Sequence, residues 1–129
     1  PNNISYLFNL GLIYNKRAAS SITGSEEQVK NYANAETYFV TAINLDPDEL
    51  ADFQRELFDA NLEILYSLTC VAQIQQRKFE ECKETVINGI DNFPDSADLH
   101  DYLAICLSNL GDVAGAKDAS DRAKQLREE

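Results

Sequence analysis

The sequence predicts an all-α protein, and three observations lead to that prediction. Apolar residues recur at three- and four-residue steps along most of the 129 residues, as one face of an α-helix requires. Only five glycines and three prolines are present, too few for the many tight turns of a β-sandwich. With 44% hydrophobic residues, the chain can bury a core and does not have a disordered composition. We therefore expect about six helices joined by short connections.

The first two helices are predicted at residues 4–19 and 25–44. Small polar residues and a glycine separate them, which indicates a loop at residues 20–25. Ser25 and Gln28 have the spacing of a capping box, in which the serine accepts a backbone N–H and the glutamine reaches back. The residues expected on the buried faces of these helices are Leu7, Leu10, Gly11, Tyr14, Ala18, Tyr32, Ala35, Phe39, Ala42 and Ile43.

The third helix is predicted to be the longest, from Pro47 to about Gln76. Asp46 can cap it, and Pro47 suits the first turn because its missing N–H needs no partner there. No glycine or proline interrupts the chain up to Gln76, so we expect a helix about 45 Å long. Its first half is acidic, with seven acidic residues and one arginine between Asp46 and Glu63. We interpret this as a solvated face, with electrostatic docking of a basic partner as the alternative.

Three shorter helices complete the predicted fold, at residues 79–91, 97–109 and 113–127. Phe93 and Pro94 separate the first two of them, and Leu110 and Gly111 end the second. Asp112 is the expected cap of the last helix.

The helices form pairs, and the first pair carries the pattern of a known family. The pattern Leu-x-x-Leu-Gly-x-x-Tyr begins at Leu7, and Ala-x-x-x-Phe-x-x-Ala begins at Ala35 and is followed by Pro47. Weaker copies occupy residues 66–94 and 103–123. The chain thus resembles the tetratricopeptide-repeat (TPR) family over essentially its whole length, with leucine in place of the family's tryptophan.

The resemblance implies a single TPR-like domain over residues 1–129, an α-solenoid with a right-handed superhelical twist. Its three irregular antiparallel hairpins are expected at about residues 4–46, 47–93 and 94–129. Methionine is absent, including the initiator, so we expect the chain to be part of a longer protein.

The cysteines and the apolar stretches of the chain bear on its compartment and on membrane association. Three cysteines at spacings of 12 and 24 match neither a disulfide framework nor a zinc set, so we expect them to pack as small hydrophobes. This favours a reducing, cytoplasmic location. No apolar stretch approaches the roughly 20 residues of a membrane span.

The sequence offers no set of residues suited to catalysis. His100 is the one histidine and has no fixed partner nearby in the sequence. No P-loop, dinucleotide fingerprint, nucleophile elbow or zinc-protease motif is present. Asp46, Asp48 and Asp52 lack the spacing and central glycine of a calcium loop. We therefore expect a protein that is not an enzyme and that uses no cofactor and no metal.

The resemblance implies that the first helix of each pair lines a concave groove for a partner. The residues at these positions are Phe8, Leu12, Asn15, Lys16, Ser67, Val71, Ile74, Asp101, Ile105 and Asn109, which we call the groove residues. We expect them to bind an apolar or amphipathic peptide or helix, and a basic flank on that partner would suit the acidic rim. A net charge of −11 argues against nucleic acid as a partner.

One subclass of the family binds acidic C-terminal tails of chaperones through a carboxylate clamp of lysine, arginine and asparagine. The corresponding positions here are Phe8, Leu12, Leu68, Asp101 and Ile105. Four of them are apolar and one is acidic, so we expect no binding of such tails.

The expected role is a scaffold or adaptor for protein–protein interaction. The alternative is a structural subunit of a larger assembly, with the groove filled by its own chain or by a second copy in a homo-oligomer. A third interpretation is a regulatory domain of an enzyme. The sequence does not identify the partner.

Overall fold

A computed structural model describes residues 3–129 of the chain. Over these residues it contains six α-helices, one short 3₁₀ turn and no strand, which confirms the predicted all-α class. The predicted bounds of every helix except the third agree with the structure within one residue. The helices are α1 (Ile4–Ala19), α2 (Glu26–Ile43), α3 (Asp52–Gln75), α4 (Phe79–Asn92), α5 (Ala97–Asn109) and α6 (Val113–Glu128).

Side-chain caps explain why several helices begin where they do. Ser25 Oγ accepts the N–H of Gln28 at 3.1 Å, as the capping-box spacing predicts. The Gln28 side chain also reaches back, but it accepts the N–H of Gly24 at 2.8 Å rather than that of Ser25. Asp112 caps α6 by accepting the N–H of Gly115 at 2.8 Å. These local bonds satisfy backbone donors that have no partner within the helix.

The prediction for the third helix is wrong at its start. Pro47–Glu49 forms a separate 3₁₀ turn, capped by Asp46, whose carboxylate accepts the N–H of Asp48 at 3.0 Å. Leu50 then adopts an extended conformation with ψ of 143°, and α3 begins only at Asp52. This break allows Leu50 to pack against the core. The 24 residues of α3 therefore span about 36 Å rather than 45 Å.

The core consists mainly of two clusters that share α3. The first lies among α1, α2 and α3, and the second among α3, α4 and α5. The buried members of the first cluster are Ile4, Leu7, Ala35, Phe39, Ala42, Phe58 and Leu65. Those of the second are Tyr66, Cys70, Cys82, Val86, Leu99 and Cys106.

The pairing of helices follows a regular rule over residues 3–129. Each helix packs against the next in the chain, and α3 also contacts α1 and α5. In the same residues the Cα atoms of α2 do not come within 8 Å of those of α4, nor do those of α4 approach α6. The helices α1, α3 and α5 are therefore neighbours in a row, whereas α2, α4 and α6 stand apart.

All three cysteines are buried, as expected, but two of them are bonded. Cys82 on α4 and Cys106 on α5 form a disulfide, so the expectation that every cysteine acts only as a small hydrophobe is wrong. The two side chains meet because α4 and α5 pack against each other within the second cluster. Since disulfides persist in oxidising compartments, this pair removes the argument that the cysteines favour a reducing location.

The third cysteine remains a thiol. Cys70 on α3 is fully buried in the second cluster, and this burial raises the pKa of its thiol to about 12. Because the thiolate is the nucleophilic form, Cys70 is expected to be unreactive in the folded protein.

Candidate partner-binding groove

The groove residues lie on α1, α3 and α5, the three helices that form the row. None of them is fully buried. Those that are partly buried are Phe8, Leu12, Asn15, Ser67, Val71, Ile74 and Asp101, and those that are exposed are Lys16, Ile105 and Asn109.

Three exposed apolar side chains and the partly buried Val71 make up what we call the apolar strip on α3 and α5: Phe53, Ile64, Val71 and Ile105. Ile64 is 49% exposed and Phe53 is 63% exposed, and their spacing places both on the same face of α3 as Val71. Ile105 on the neighbouring α5 is 41% exposed. Phe53 and Ile64 were not among the predicted groove residues, although the seven-residue step from Ile64 to Val71 was a signal for Ile64.

Three predicted groove residues also belong to the core. Phe8 and Leu12 pack against the first cluster, and Ile74 packs against the second. The Phe8 ring meets the Phe39 ring edge-on, with 6.4 Å between their centroids. Each of the three therefore leaves only part of its surface exposed.

The polar groove residues of α5 have partners within the chain. Arg127 of α6 donates hydrogen bonds to Asp101 and, at 2.9 Å, to Asp98. The hydrogen bond to Asp101 raises the pKa of Arg127 above its usual value. Asn109 Nδ2 donates to the backbone oxygen of Ile105 at 2.8 Å. Arg127 thus offsets only part of the charge that was expected to repel acidic tails, because Asp98 and Asp101 share this single cation.

The polar groove residues of α1 are placed differently. Lys16 lines a separate cleft of about 790 Å³ at the connection between α1 and α2, together with Arg17, Ile22 and Glu27. Asn15 Oδ1 is buried and has no hydrogen-bond partner among residues 3–129. The apolar groove residues of α3 and α5 therefore lie on neighbouring helices, whereas Lys16 lines a different cleft.

His100 has a local partner at the connection between α4 and α5. Its Nε2 lies 2.9 Å from the backbone oxygen of Pro94. Because a carbonyl oxygen only accepts, Nε2 carries the proton in this contact. Among the described residues, no group of three or more histidine, cysteine or acidic side chains is arranged to hold a metal ion.

A polar network that the sequence analysis did not identify joins α2 to α3 and to the start of α4. Glu36 accepts hydrogen bonds from Gln73 Nε2 at 3.0 Å, Gln76 Nε2 at 2.8 Å and Lys78 Nζ at 3.1 Å. Gln73 is only 4% exposed. A signal for it was present, because Gln73 follows Cys70 by three residues on the apolar face of α3, where the helical period favours an apolar side chain.

Replacing Glu36 with alanine should lower the free energy of unfolding by about 2 kcal/mol. The substitution leaves the buried Gln73 amide and two further donors without their acceptor. Urea denaturation followed by circular dichroism at 222 nm measures the change. Glu56→Ala, at an exposed position of α3, is the control and should change stability by less than about 0.5 kcal/mol. Equal losses in the two variants would contradict a stabilising role for the network.

No protein-family model matches the chain, and a search of curated proteins finds no significant match. None of the helices between residues 3 and 129 has the length and hydropathy needed to cross a bilayer. A functional proposal therefore rests on the arrangement of the helices and on the surfaces that they expose.

Proposed function

We propose that this protein is a non-catalytic interaction module, a scaffold or adaptor that binds a partner peptide or helix along α1, α3 and α5. The observation that carries the proposal is the apolar strip, in which Ile64 and Ile105 each leave more than 40% of their surface exposed on neighbouring helices. Exposed apolar side chains that share one face of neighbouring helices are a common feature of interaction sites.

We also propose a TPR-like solenoid as the architecture that presents this strip. Contacts within the row of first helices, and the gaps between second helices in the described chain, support it. A stack whose first helices lie closer together than its second helices curves toward the first helices, which makes their outer side concave. The close approach that the family pattern requires is also present, since a Cβ added at Gly89 would lie 3.1 Å from both Leu99 and Tyr66.

The partner should combine an apolar face with a basic flank. Exposed Glu56, Asp59 and Glu63 accompany the strip on α3, and the whole chain carries a net charge of −11. Complementary charge would speed association and orient the partner, whereas the apolar contact would supply most of the affinity. An acidic chaperone tail remains a poor partner, because apolar side chains such as Phe8 and Leu68 cannot donate hydrogen bonds to a carboxylate.

The double substitution Ile64→Asp, Val71→Asp should weaken partner binding at least about tenfold. Two carboxylates would be desolvated in the apolar contact, whereas Ile64 is exposed enough for the fold to survive. A partner captured with the native protein is purified, and its dissociation constant is measured for both proteins by calorimetry. Leu12 is avoided as a target because it packs against the first cluster.

The matched control places two aspartates on second helices, at Val29 of α2 and Ile87 of α4, which are 41% and 43% exposed. This control should bind like the native protein. Equal weakening in both variants, or weakening in the control alone, would show that the partner does not use the row of first helices.

Self-association distinguishes the alternative, a structural subunit whose groove is filled by a second copy. Sedimentation velocity of the native protein and of the Ile64→Asp, Val71→Asp variant measures this directly. An oligomer that the substitution converts to a monomer would identify the strip as an assembly interface and would contradict the adaptor proposal.

A further inference from the structure

A cleft of about 340 Å³ lies between α2 and α4, where the two backbones do not approach each other. Gln73 of α3 is one of its lining residues. Gln73 follows Ile64 by nine residues, or two and a half helical turns, so the two side chains project from opposite sides of α3. The cleft and the apolar strip are therefore separate surfaces.

Gln73, which lines this cleft, carries an unpaired acceptor. Its Nε2 donates to a Glu36 carboxylate oxygen, and because a carboxylate only accepts, this bond fixes which end of the amide faces Glu36. The other end, Oε1, is buried and has no hydrogen-bond partner among residues 3–129. The nearby Thr69 hydroxyl cannot supply one, since it donates to the backbone oxygen of Leu65 at 2.7 Å. Buried carbonyl oxygens are normally paired, so a donor is expected here.

The cleft combines an acidic rim with apolar walls. Glu81 and Glu84 of α4 line it, and neither forms an ion pair with any residue of the described chain. Lys78, the cation of the polar network, is held by Glu36 at 3.1 Å and does not balance them. Val40 and Ile43 of α2 supply apolar surface in the same cleft.

We propose that this cleft binds an alkylguanidinium or alkylammonium group, carried by an arginine or lysine side chain of a polypeptide or by a free small amine. The cationic head donates to Gln73 Oε1 and lies near Glu81 and Glu84, while its alkyl stem packs on Val40 and Ile43. A charged donor suits this site better than a neutral one, because hydrogen bonds to ionised groups are the stronger ones. The proposal uses none of the groove residues and is independent of the proposed function.

The test titrates the ¹⁵N-labelled full chain with N-acetyl-arginine-N-methylamide and, in parallel, with its neutral citrulline counterpart. We expect the arginine probe to shift the side-chain amide signal of Gln73 and to bind about tenfold more tightly than the citrulline probe. A third titration, with 1,4-diaminobutane, distinguishes a polypeptide side chain from a free small amine as the source of the cation. Tighter binding of the diamine would assign the site to free amines, and tighter binding of the arginine probe would assign it to a polypeptide side chain.

Two variants test the residues that carry the proposal. Gln73→Met keeps the length of the side chain but removes the acceptor, and it should weaken the arginine probe about tenfold. Glu81→Gln, Glu84→Gln changes only exposed positions and should weaken it at least about threefold without affecting the circular dichroism spectrum. The matched control, Glu56→Gln on α3, should bind like the native protein.

Three results would overturn the proposal. One is the absence of a saturable shift of the Gln73 side-chain amide signal at up to about 50 mM of either cation. Binding weaker than this would not be a useful affinity. Another is equal binding of the arginine and citrulline probes. The third is unchanged binding in the folded Glu81→Gln, Glu84→Gln variant. The first would leave Gln73 Oε1 without an organic ligand, and the other two would show that the site does not recognise the positive charge of the probe.

Discussion

Replacing Phe39 with alanine is expected to lower the free energy of unfolding by about 3–5 kcal/mol. Phe39 is fully buried in the first cluster, where its ring packs over Gly11 of α1 and meets Phe8 edge-on. The loss combines the transfer free energy of the ring with the cavity that it leaves, and a glycine on the facing helix cannot fill that cavity. Guanidinium denaturation followed by circular dichroism at 222 nm measures the change.

The control for Phe39 is Phe53→Ala, which removes the same side chain from a position that is 63% exposed. Its effect on stability should remain within about 0.5 kcal/mol. A loss of less than about 2 kcal/mol at Phe39, or a similar loss at Phe53, would contradict the central position of Phe39 in the core.

The same contact can be tested from the facing helix. A Cβ added at Gly11 would collide with three atoms of the Phe39 ring, so Gly11→Ala should cost about 1–3 kcal/mol through overpacking. In the Phe39→Ala background the collision no longer exists, and the alanine should cost little. A double-mutant cycle that gave simple additivity would show that the two residues are not in contact.

Local signals explain how much of the fold could be predicted from the sequence. Helical periodicity and capping residues act within a few positions, and they located five of the six helices within one residue. These local signals did not locate the start of α3. Leu50 leaves the helical conformation and packs on the first cluster, and a capping rule applied to Asp46 and Pro47 does not contain that information.

The helices that carry the groove residues could be predicted, but the side-chain partners of these residues could not, because the partners come from distant parts of the chain. Helical spacing predicted helices at these residues, and the structure has them on α1, α3 and α5. The pairing of Asp101 with Arg127 depends on how α6 packs against α5, which spacing along α5 cannot reveal. The role of Gln73 could not be predicted for a different reason: its position on the apolar face was visible, but the bond from its Nε2 to Glu36 depends on how α2 packs against α3.

Breaking the disulfide between Cys82 and Cys106 is expected to lower the free energy of unfolding by about 3 kcal/mol. The bridge joins residues 24 apart in the sequence and closes a loop of that length in the unfolded chain. Reduction restores the conformational entropy of this loop to the unfolded state, while the two thiols remain buried in the second cluster. Guanidinium denaturation with and without tris(2-carboxyethyl)phosphine measures the difference.

Thiol titration in denaturant provides the direct check on this prediction. Without reductant only Cys70 should react, and with reductant all three cysteines should react. Cys70→Ala is the matched control and should retain the effect of reductant on stability, whereas Cys82→Ala, Cys106→Ala should lose it. Three reactive thiols before reduction would contradict the bridge. In that case α4 and α5 would be held together by packing alone, and reductant would leave the stability unchanged.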